Sequence, residues 1–422
     1  MTKYKPYSTY KPSGVEWLGD VPEHWRTWKV SHAFGQIGSG TTPDTKKLYF
    51  YGGDIPWVTT SELRENVITD TSEKLTEDAL REHSALSLYP PGTLLIAMYG
   101  ATIGRLGILG ITACTNQACC ALAKPRELDV KFCFYWLWMR RNEIILLSSG
   151  GGQPNINQQK IYSIRIPAPP LQEQRVIANF LDRETTRIDT LITKKREMID
   201  LLEKKRAAIV TEAVTKGCDR DVPLRDSGIF WLDKIPEHWQ VRQLKYLCIL
   251  QRGFDLPSEQ REEGSFPIYG GGGITGYHTV AMVQPPGVVT GRYGTIGQVY
   301  FVEEPFWPLN TSLYVKEFWG NSPSFIRHML SILPMEIYAG KSAVPGVDRN
   351  DLHAIPVPVP PREEQNLIVK YLNHATKHQQ RVIEIIEDQI KEIQKHRQAL
   401  ITAAVTGKID VREEIGSDRG VA

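Results

Sequence analysis

Residues 13–25 read SGVEWLGDVPEHW, and residues 227–239 read SGIFWLDKIPEHW. Eight of the thirteen positions are identical, among them Trp17 and Trp231 and the block Pro22-Glu23-His24-Trp25 against Pro236-Glu237-His238-Trp239. Two tryptophans at one spacing do not coincide by chance, so the chain is read first as a tandem repeat. Further pairs follow in the same order. Tyr99-Gly100-Ala101-Thr102-Ile103-Gly104 matches Tyr293-Gly294-Thr295-Ile296-Gly297, and Pro167 to Gln174 (PAPPLQEQ) matches Pro358 to Gln365 (PVPPREEQ). Ala213-Val214-Thr215 matches Ala404-Val405-Thr406, by which point the offset has shrunk from 214 to 191. Each half is therefore a short head, a middle that differs between the halves, and a shared tail.

The tails predict long helices. No Gly or Pro interrupts the 46 residues from Leu171 to Lys216 or the 45 from Arg362 to Thr406. Each run begins after Pro-Pro, which the first helical turn tolerates, and stops at Gly217 or Gly407, where glycine favours a helix end. Glu173 and Glu364 fall in the first turn, where the helix dipole favours negative charge. Ile177, Leu181, Ile188, Leu191, Met198, Leu202 and Ile209 form a heptad seam interrupted by Glu184, Lys195 and Lys205. Ile368, Leu372, Ala375, Val382, Ile386, Ile393 and Leu400 form the second, interrupted by Gln379, Gln389 and His396. Such seams predict a coiled coil, with each helix roughly 68 Å long. Pairing within one chain buries both seams, and the polar interruptions fix the register. Ile192, Ile199, Ile383 and Ile390 are read as outer rows on which a further protein packs.

The middles, residues 30–165 and 244–357, are dense in Gly, Pro, Thr and aromatic residues. Leu94 to Tyr99 and Gly287 to Thr290 read as strands after Pro-Gly turns, and Phe132 to Leu147 and Ser324 to Tyr338 as helices. The fold class is α+β, with an internal pseudo-twofold repeat. The expected segments are a head (1–29), a first middle (30–165), a spacer helix (166–217), a repeated head (218–243), a second middle (244–357), a second spacer helix (358–408) and a tail (409–422).

The composition is that of an ordinary globular protein, 41% hydrophobic and 23% charged, with a formal net charge of only +2. A nucleic-acid binder of this composition must gather its basic residues on one face. No apolar run approaches the ~20 residues of a membrane span, and Met1 to Pro6 lacks the apolar core of a signal peptide. A cytoplasmic location without a membrane partner is expected. Cys114, Cys119, Cys120, Cys133, Cys218 and Cys248 show no metal or disulfide spacing and read as small buried apolar residues.

Glycine runs at Gly150–Gly152 and Gly270–Gly273 suit close approach of backbone N–H groups to phosphates. Arg252, Arg292, Asn116, Gln117, Gln153, Asn310 and Lys341 carry the side-chain chemistry that reads base edges. Gly340-Lys341-Ser342 looks like the end of a P-loop, but Met335 stands where its first glycine belongs. Glu203-Lys204-Lys205 resembles part of a nuclease motif yet lies in a helix. No Gly-rich methyl-donor turn is visible, and the Asn-Pro-Pro-aromatic methyltransferase signature is missing. His24 and His238 are expected to pack against Trp17 and Trp231. No catalytic constellation is visible, so a non-catalytic chain is expected.

SGVEWLGDVPEHW, PAPPLQEQ with its long helix, and the repetition of both resemble the specificity subunit of type I restriction–modification systems. Gly38 to Pro43 (GSGTTP) followed by Gly53 to Trp57 (GDIPW) resembles one type of target-recognition domain in that family. The resemblance covers nearly the whole chain. It implies two α/β target-recognition domains separated by two long antiparallel coiled-coil helices, each domain reading half of a bipartite double-stranded DNA site. It implies two methyltransferase subunits, which bring S-adenosylmethionine and adenine methylation, and restriction (translocase) subunits with ATP and Mg. No cofactor or metal is expected on this chain itself. Phe266 to Tyr269 (FPIY) replaces the Ile-Pro-Trp of the first middle, so the half-sites should differ. Thr41, Thr42, Lys46, Lys47, Tyr99, Thr102, Arg105, Tyr269, Tyr293 and Thr295 complete the candidate DNA-contact set. The alternative from another class is a duplicated coiled-coil adaptor whose lobes bind protein or glycan.

Overall fold

The computed structural model describes residues 4–146, 155–339 and 346–416. The chain forms two compact units, Met1–Lys194 with Gln389–Ala422, and Lys195–Asp388. Each holds one head, one middle and a part of both long helices.

Those helices run Leu171–Lys216 and Arg362–Val405. They end at Gly217 and Gly407, whose φ angles of 78° and 71° lie in the left-handed region that glycine enters without strain. In the first unit the helices are antiparallel: Arg397 pairs with Asp189 at 3.1 Å, and the segment beyond the second helix continues toward the start of the first, where Glu414 meets Arg183 at 3.9 Å. In the second, Arg206 donates to Gln380 at 2.7 Å, and Gly217 lies against the Glu364 carboxylate.

The seam differs from the expected one by the same step in both helices. One heptad row is kept: Leu181 and Ile188 on the first helix, Leu372 and Ile386 on the second, are buried. The other row moves by one residue. Ile192 is 6% exposed while Leu191 and Met198 are 44% and 53% exposed. Ile383 and Ile390 are buried, whereas Gln389 and His396 are exposed. Three of the four residues read as an outer row, Ile192, Ile383 and Ile390, are thus buried, and Ile199 is half-buried. Adjacent apolar pairs such as Leu191-Ile192 and Met198-Ile199 satisfy either row by pattern alone, so contacts from elsewhere select one. In the first unit a helix of the middle, Val130–Met139, makes such contacts. Its Tyr135 hydroxyl donates to Asp182 at 2.7 Å and lies 3.1 Å from the buried Thr185 hydroxyl. Its Trp138 ring covers the Arg397 guanidinium at 4.7 Å.

Each middle is built on an antiparallel sheet. In the first the order is Phe34–Ser39, Cys119–Pro125, Leu94–Ala97, Leu106–Leu109, and finally Asn66–Ile68 added in parallel. In the second it is Ile249–Arg252, Ser312–Glu317, Gly287–Gly291, Val299–Val302. The first four strands of one correspond to the four of the other. A small three-stranded sheet accompanies each: Cys114–Thr115, Tyr51–Val58, Lys74–Leu75 in the first, and Gly273–His278, Phe266–Gly270, Trp307–Pro308 in the second. The repeat thus persists through middles whose sequences have diverged. The expected helices appear as Val130–Met139 and Arg141–Leu146 in the first middle, Leu147 lying outside the described residues. In the second, Pro323–Ile332 is followed by a separate 3-10 turn, Met335–Tyr338.

The residues shared by the two halves are the ones that bolt these parts together. Glu173 accepts from the Tyr7 hydroxyl (2.7 Å) and the Trp25 indole (2.9 Å), and lies 2.7 Å from His24 Nε2. Glu364 repeats the arrangement with Trp239 (3.0 Å) and His238 (2.9 Å). The histidines therefore pair with the first-turn glutamates and are not simply packed on Trp17 and Trp231. Trp17 stacks instead on Arg140 at 3.5 Å and near Trp136. The adjacent glutamine holds the middle. Gln174 accepts from the backbone N–H of Asp129 (2.8 Å), the residue that caps Val130–Met139. Gln365 accepts from Ser322 N–H (2.9 Å) at the start of Pro323–Ile332. One Glu-Gln step thus fixes head and middle to the start of each long helix.

Five cysteines are buried as expected and Cys218 is exposed. Among the described residues, no helix is long and apolar enough to cross a membrane, and no group of three or more His, Cys, Asp or Glu side chains is placed to hold a metal ion.

Candidate nucleic-acid interface

Sheet register gathers loops at one end of each middle. In the first, Ser39 pairs with Cys120, Cys119 with Ala97, and Ile96 with Leu106. The segments 40–47, 98–105 and 116–118 therefore leave from the same end of the sheet. They carry Thr41, Thr42, Tyr99, Thr102, Arg105, Asn116 and Gln117. The Thr42 hydroxyl donates to Gln117 Oε1 at 2.7 Å. Asn116 caps its own loop through its N–H to Val58 O (3.0 Å) and its Oδ1 to Ala118 N–H (3.1 Å). The Thr41 carbonyl accepts from the Trp57 indole at 3.3 Å. Thr102 Oγ1 closes the turn on the Tyr99 carbonyl at 3.1 Å, and Arg105 is half-buried beside that turn. Lys46 and Lys47 are exposed further along the first loop, Lys47 lying 5.4 Å over the Phe50 ring. The structure does not join them to the Thr42–Gln117 contact.

In the second middle Arg252 pairs with Leu313, Gly291 with Ser312, and Thr290 with Val299. Arg252, Arg292, Tyr293, Thr295 and Asn310 thereby share one end of the sheet. Arg252 pairs with Asp255 at 3.1 Å, and Asn310 Nδ2 donates to the same carboxylate. The Arg292 guanidinium lies 4.7 Å over the Tyr293 ring, and its backbone is held by Thr311 O and Val347 N. Tyr293 crosses Gly346, where a Cβ would stand 2.3 Å from the ring. The Gly270–Gly273 run forms a tight hairpin turn against these loops, and a side chain at Gly271 would meet Thr295 Oγ1 at 2.8 Å. Tyr269 is half-buried between Tyr300 and Phe306, and burial raises its phenol above the usual range. Gln153, Lys341, Gly150–Gly152 and Gly340-Lys341-Ser342 lie outside the described residues.

Asp255 was not among the sequence candidates. A carboxylate argues against DNA when it is weighed by charge alone, and only the fold shows that Arg252 and Asn310 converge on it. Glu173, Gln174, Glu364 and Gln365 were visible in the repeat, but nothing in their spacing said which groups they bind.

A family model described as "Type I restriction modification DNA specificity domain" matches residues 22–201 and 236–395. The chain is 29% identical over 272 residues to the type I restriction enzyme MjaIX specificity subunit of Methanocaldococcus jannaschii, covering 62% of this chain and 59% of that protein. It is 24% identical over 429 residues to the MjaVIII specificity subunit of the same organism, covering 93% of this chain and 94% of that one. A chain solved in work on "complex assembly and conformational transition of the type I R-M system" superposes with a TM-score of 0.71 at 17% identity, over 92% of this chain and 99% of that chain. That likeness is one of fold. The family match spans both halves, from Pro22 and Pro236 near the ends of the heads through the middles and most of the two helices, and so the chain belongs to the type I restriction modification DNA specificity domain family.

Proposed function

We propose that this chain is the DNA-sequence-recognition subunit of a type I restriction–modification complex. Its middles, residues 30–165 and 244–357, each read one half of an asymmetric bipartite site in double-stranded DNA. The observation that carries this is a duplicated sheet whose equivalent end presents different polar side chains: Thr42 and Gln117 in one unit, Arg252, Asp255 and Asn310 in the other. One scaffold with two different sets of loops suits a split, asymmetric site. Family membership favours this over a protein- or glycan-binding adaptor. The chain is non-catalytic and acts in the cytoplasm. Two methyltransferase subunits and restriction subunits supply S-adenosylmethionine, ATP and Mg. Exposed apolar side chains of the long helices, among them Leu191 in the first unit and Met198, Leu201 and Ile385 in the second, are offered to the methyltransferases. The candidate contacts in the middles are the seventeen positions set out from the sequence.

Methylome sequencing of a host with and without this gene tests the reading: one bipartite modified motif disappears with the gene. Replacing residues 30–165 by another target-recognition domain changes one half of that motif. A motif altered in both halves would sink the modular reading.

A further inference from the structure

Register sets the strand ends that carry the reading loops of the two middles in matching places, and the equivalence reaches the polar contacts. Cys120 pairs with Ser39 as Leu313 pairs with Arg252, so Gly40 corresponds to Gly253. The two glycines press against the matching stretch of backbone. A Cβ on Gly40 would stand 1.6 Å from the Thr115 carbonyl oxygen, and one on Gly253 would stand 2.2 Å from that of Leu309 and 2.5 Å from that of Pro308. Two residues further on are Thr42 and Asp255. Thr115 and Pro308 occupy matching places in the parallel pairings with Val58 and Tyr269, and two residues beyond them stand Gln117 and Asn310. The Thr42–Gln117 and Asp255–Asn310 hydrogen bonds are therefore the same contact made with different chemistry.

The chemistry sets the amide. A carboxylate only accepts, so Asp255 takes an N–H of Asn310 and leaves the amide oxygen for an incoming donor. Arg252 lies on the same carboxylate at 3.1 Å and offsets its charge. In the first unit the Thr42 hydroxyl donates to the amide oxygen of Gln117, but a hydroxyl accepts as well as donates, so this partner leaves either end of the amide free to turn toward a base. In the major groove the amino bases, adenine and cytosine, present N–H donors, and the keto bases, guanine and thymine, present oxygen acceptors.

Resting on the DNA-reading function above, we propose that Gln117 and Asn310 are equivalent base-reading amides, and that Asp255 fixes which end of Asn310 faces the base. The second half-site carries an amino base at the position that Asn310 reads, while Gln117, with a hydroxyl partner, is free to read either class in the first. Asp255 is a positioning residue: it acts on specificity through Asn310.

The test is methylome sequencing of cells expressing the full chain with its methyltransferase partner. Asp255→Asn has the same shape but donates as well as accepts, so Asn310 can turn over. The expected result is a loss of about tenfold in the preference for amino over keto bases at one position of one half, the size of a single base contact. Asn310→Ala relaxes that same position. Gln117→Ala relaxes a position in the other half only. The proposal is overturned if Asp255→Asn leaves the motif unchanged, or if Asp255→Asn and Asn310→Ala relax different positions. It is also overturned if the relaxed position specifies a keto base in wild type, or if methylation stops although the complex still assembles. A wild-type chain that directs no bipartite motif at all would strike the DNA-reading function itself, and the unmutated control alone reveals that.

Discussion

Glu173 and Glu364 open the two long helices in the same way and are held to different depths. Glu173 is 6% exposed and gathers Tyr7, His24 and Trp25, while Glu364 is 24% exposed and gathers His238 and Trp239. The extra depth comes from neighbouring segments. Arg412 lies 5.0 Å over the Tyr7 ring, Asp410 N–H donates to the Lys5 carbonyl, and the Tyr10 hydroxyl donates to Gly407 O. The Tyr7 phenol is held far above its usual range by burial and by the Glu173 carboxylate. The repeated residues are the mechanical part of the molecule, and their surroundings decide how much each copy matters.

Glu173→Ala separates the two copies most strongly. It strips two buried donors of their acceptor, which costs about 4 kcal/mol. Glu364→Ala removes fewer and wetter contacts and costs about 1.5 kcal/mol. Urea unfolding of each variant, followed by tryptophan fluorescence, measures both. Equal losses would show that the difference in depth carries no energy.

The helix rows supply the next test. Ile192→Ala, at a buried position, costs about 3 kcal/mol, whereas Leu191→Ala stays within about 0.5 kcal/mol in the isolated chain. The reverse order would restore the seam expected from sequence.

That seam shows where sequence reading runs out. The antiparallel pairing of the helices is implied by the family resemblance, whereas the helices themselves and their ends follow from Gly, Pro and a seven-residue period. The choice between Leu191 and Ile192 does not, because both are apolar and the contacts that distinguish them come from Val130–Met139, about fifty residues away in the chain. The strands beneath Tyr99 and Tyr293 were legible for a local reason, an apolar run after Pro-Gly. Loop residues such as Gln117 and Asn310 were legible as chemistry. Their partners Thr42 and Asp255 are joined to them only by strand register, and no pattern in the sequence records it.

The two units also differ in acid sensitivity at a matched position. Gln174 and Gln365 grip the starts of equivalent helices, which aligns Tyr135 of one with His328 of the other. Burial first, then Arg327 and Arg206, push the His328 imidazole down to about 4. An unfolded histidine titrates near ~6.5. Between these values the unfolded chain binds the extra proton, so stability is complete above pH 6.5 and falls as the pH drops toward 4. At pH 5 the loss is about 2 kcal/mol. His328→Gln should remove that part of the acid sensitivity in urea titrations at pH 7 and pH 5, and an undiminished sensitivity in the variant would mean that His328 does not carry it.

Arg292 gives the smallest effect and the finest comparison. Tyr99 and Tyr293 are matched, so Met98, which is 2% exposed, stands where the second unit has Arg292. The backbone at 292 is bonded through both its N–H and its carbonyl, to Thr311 and Val347, so truncating the side chain leaves the loop in place. The guanidinium lies over Tyr293 at the sheet end where Asn310 is proposed to read a base. A cation stacked beside a base reader is placed for the phosphate backbone, and a phosphate contact has a distinct signature. Arg292→Ala should weaken binding by the assembled complex to all sequences alike and flatten the slope of log K against log salt by about one. Arg292→Lys keeps the charge and should restore the slope. A variant that kept its slope but relaxed one position of the second half-site, by the ~1–3 kcal/mol of a bidentate guanine contact, would make Arg292 a base reader instead. The second half would then read its site with two side chains, one from each of the loops that flank Gly291–Ser312.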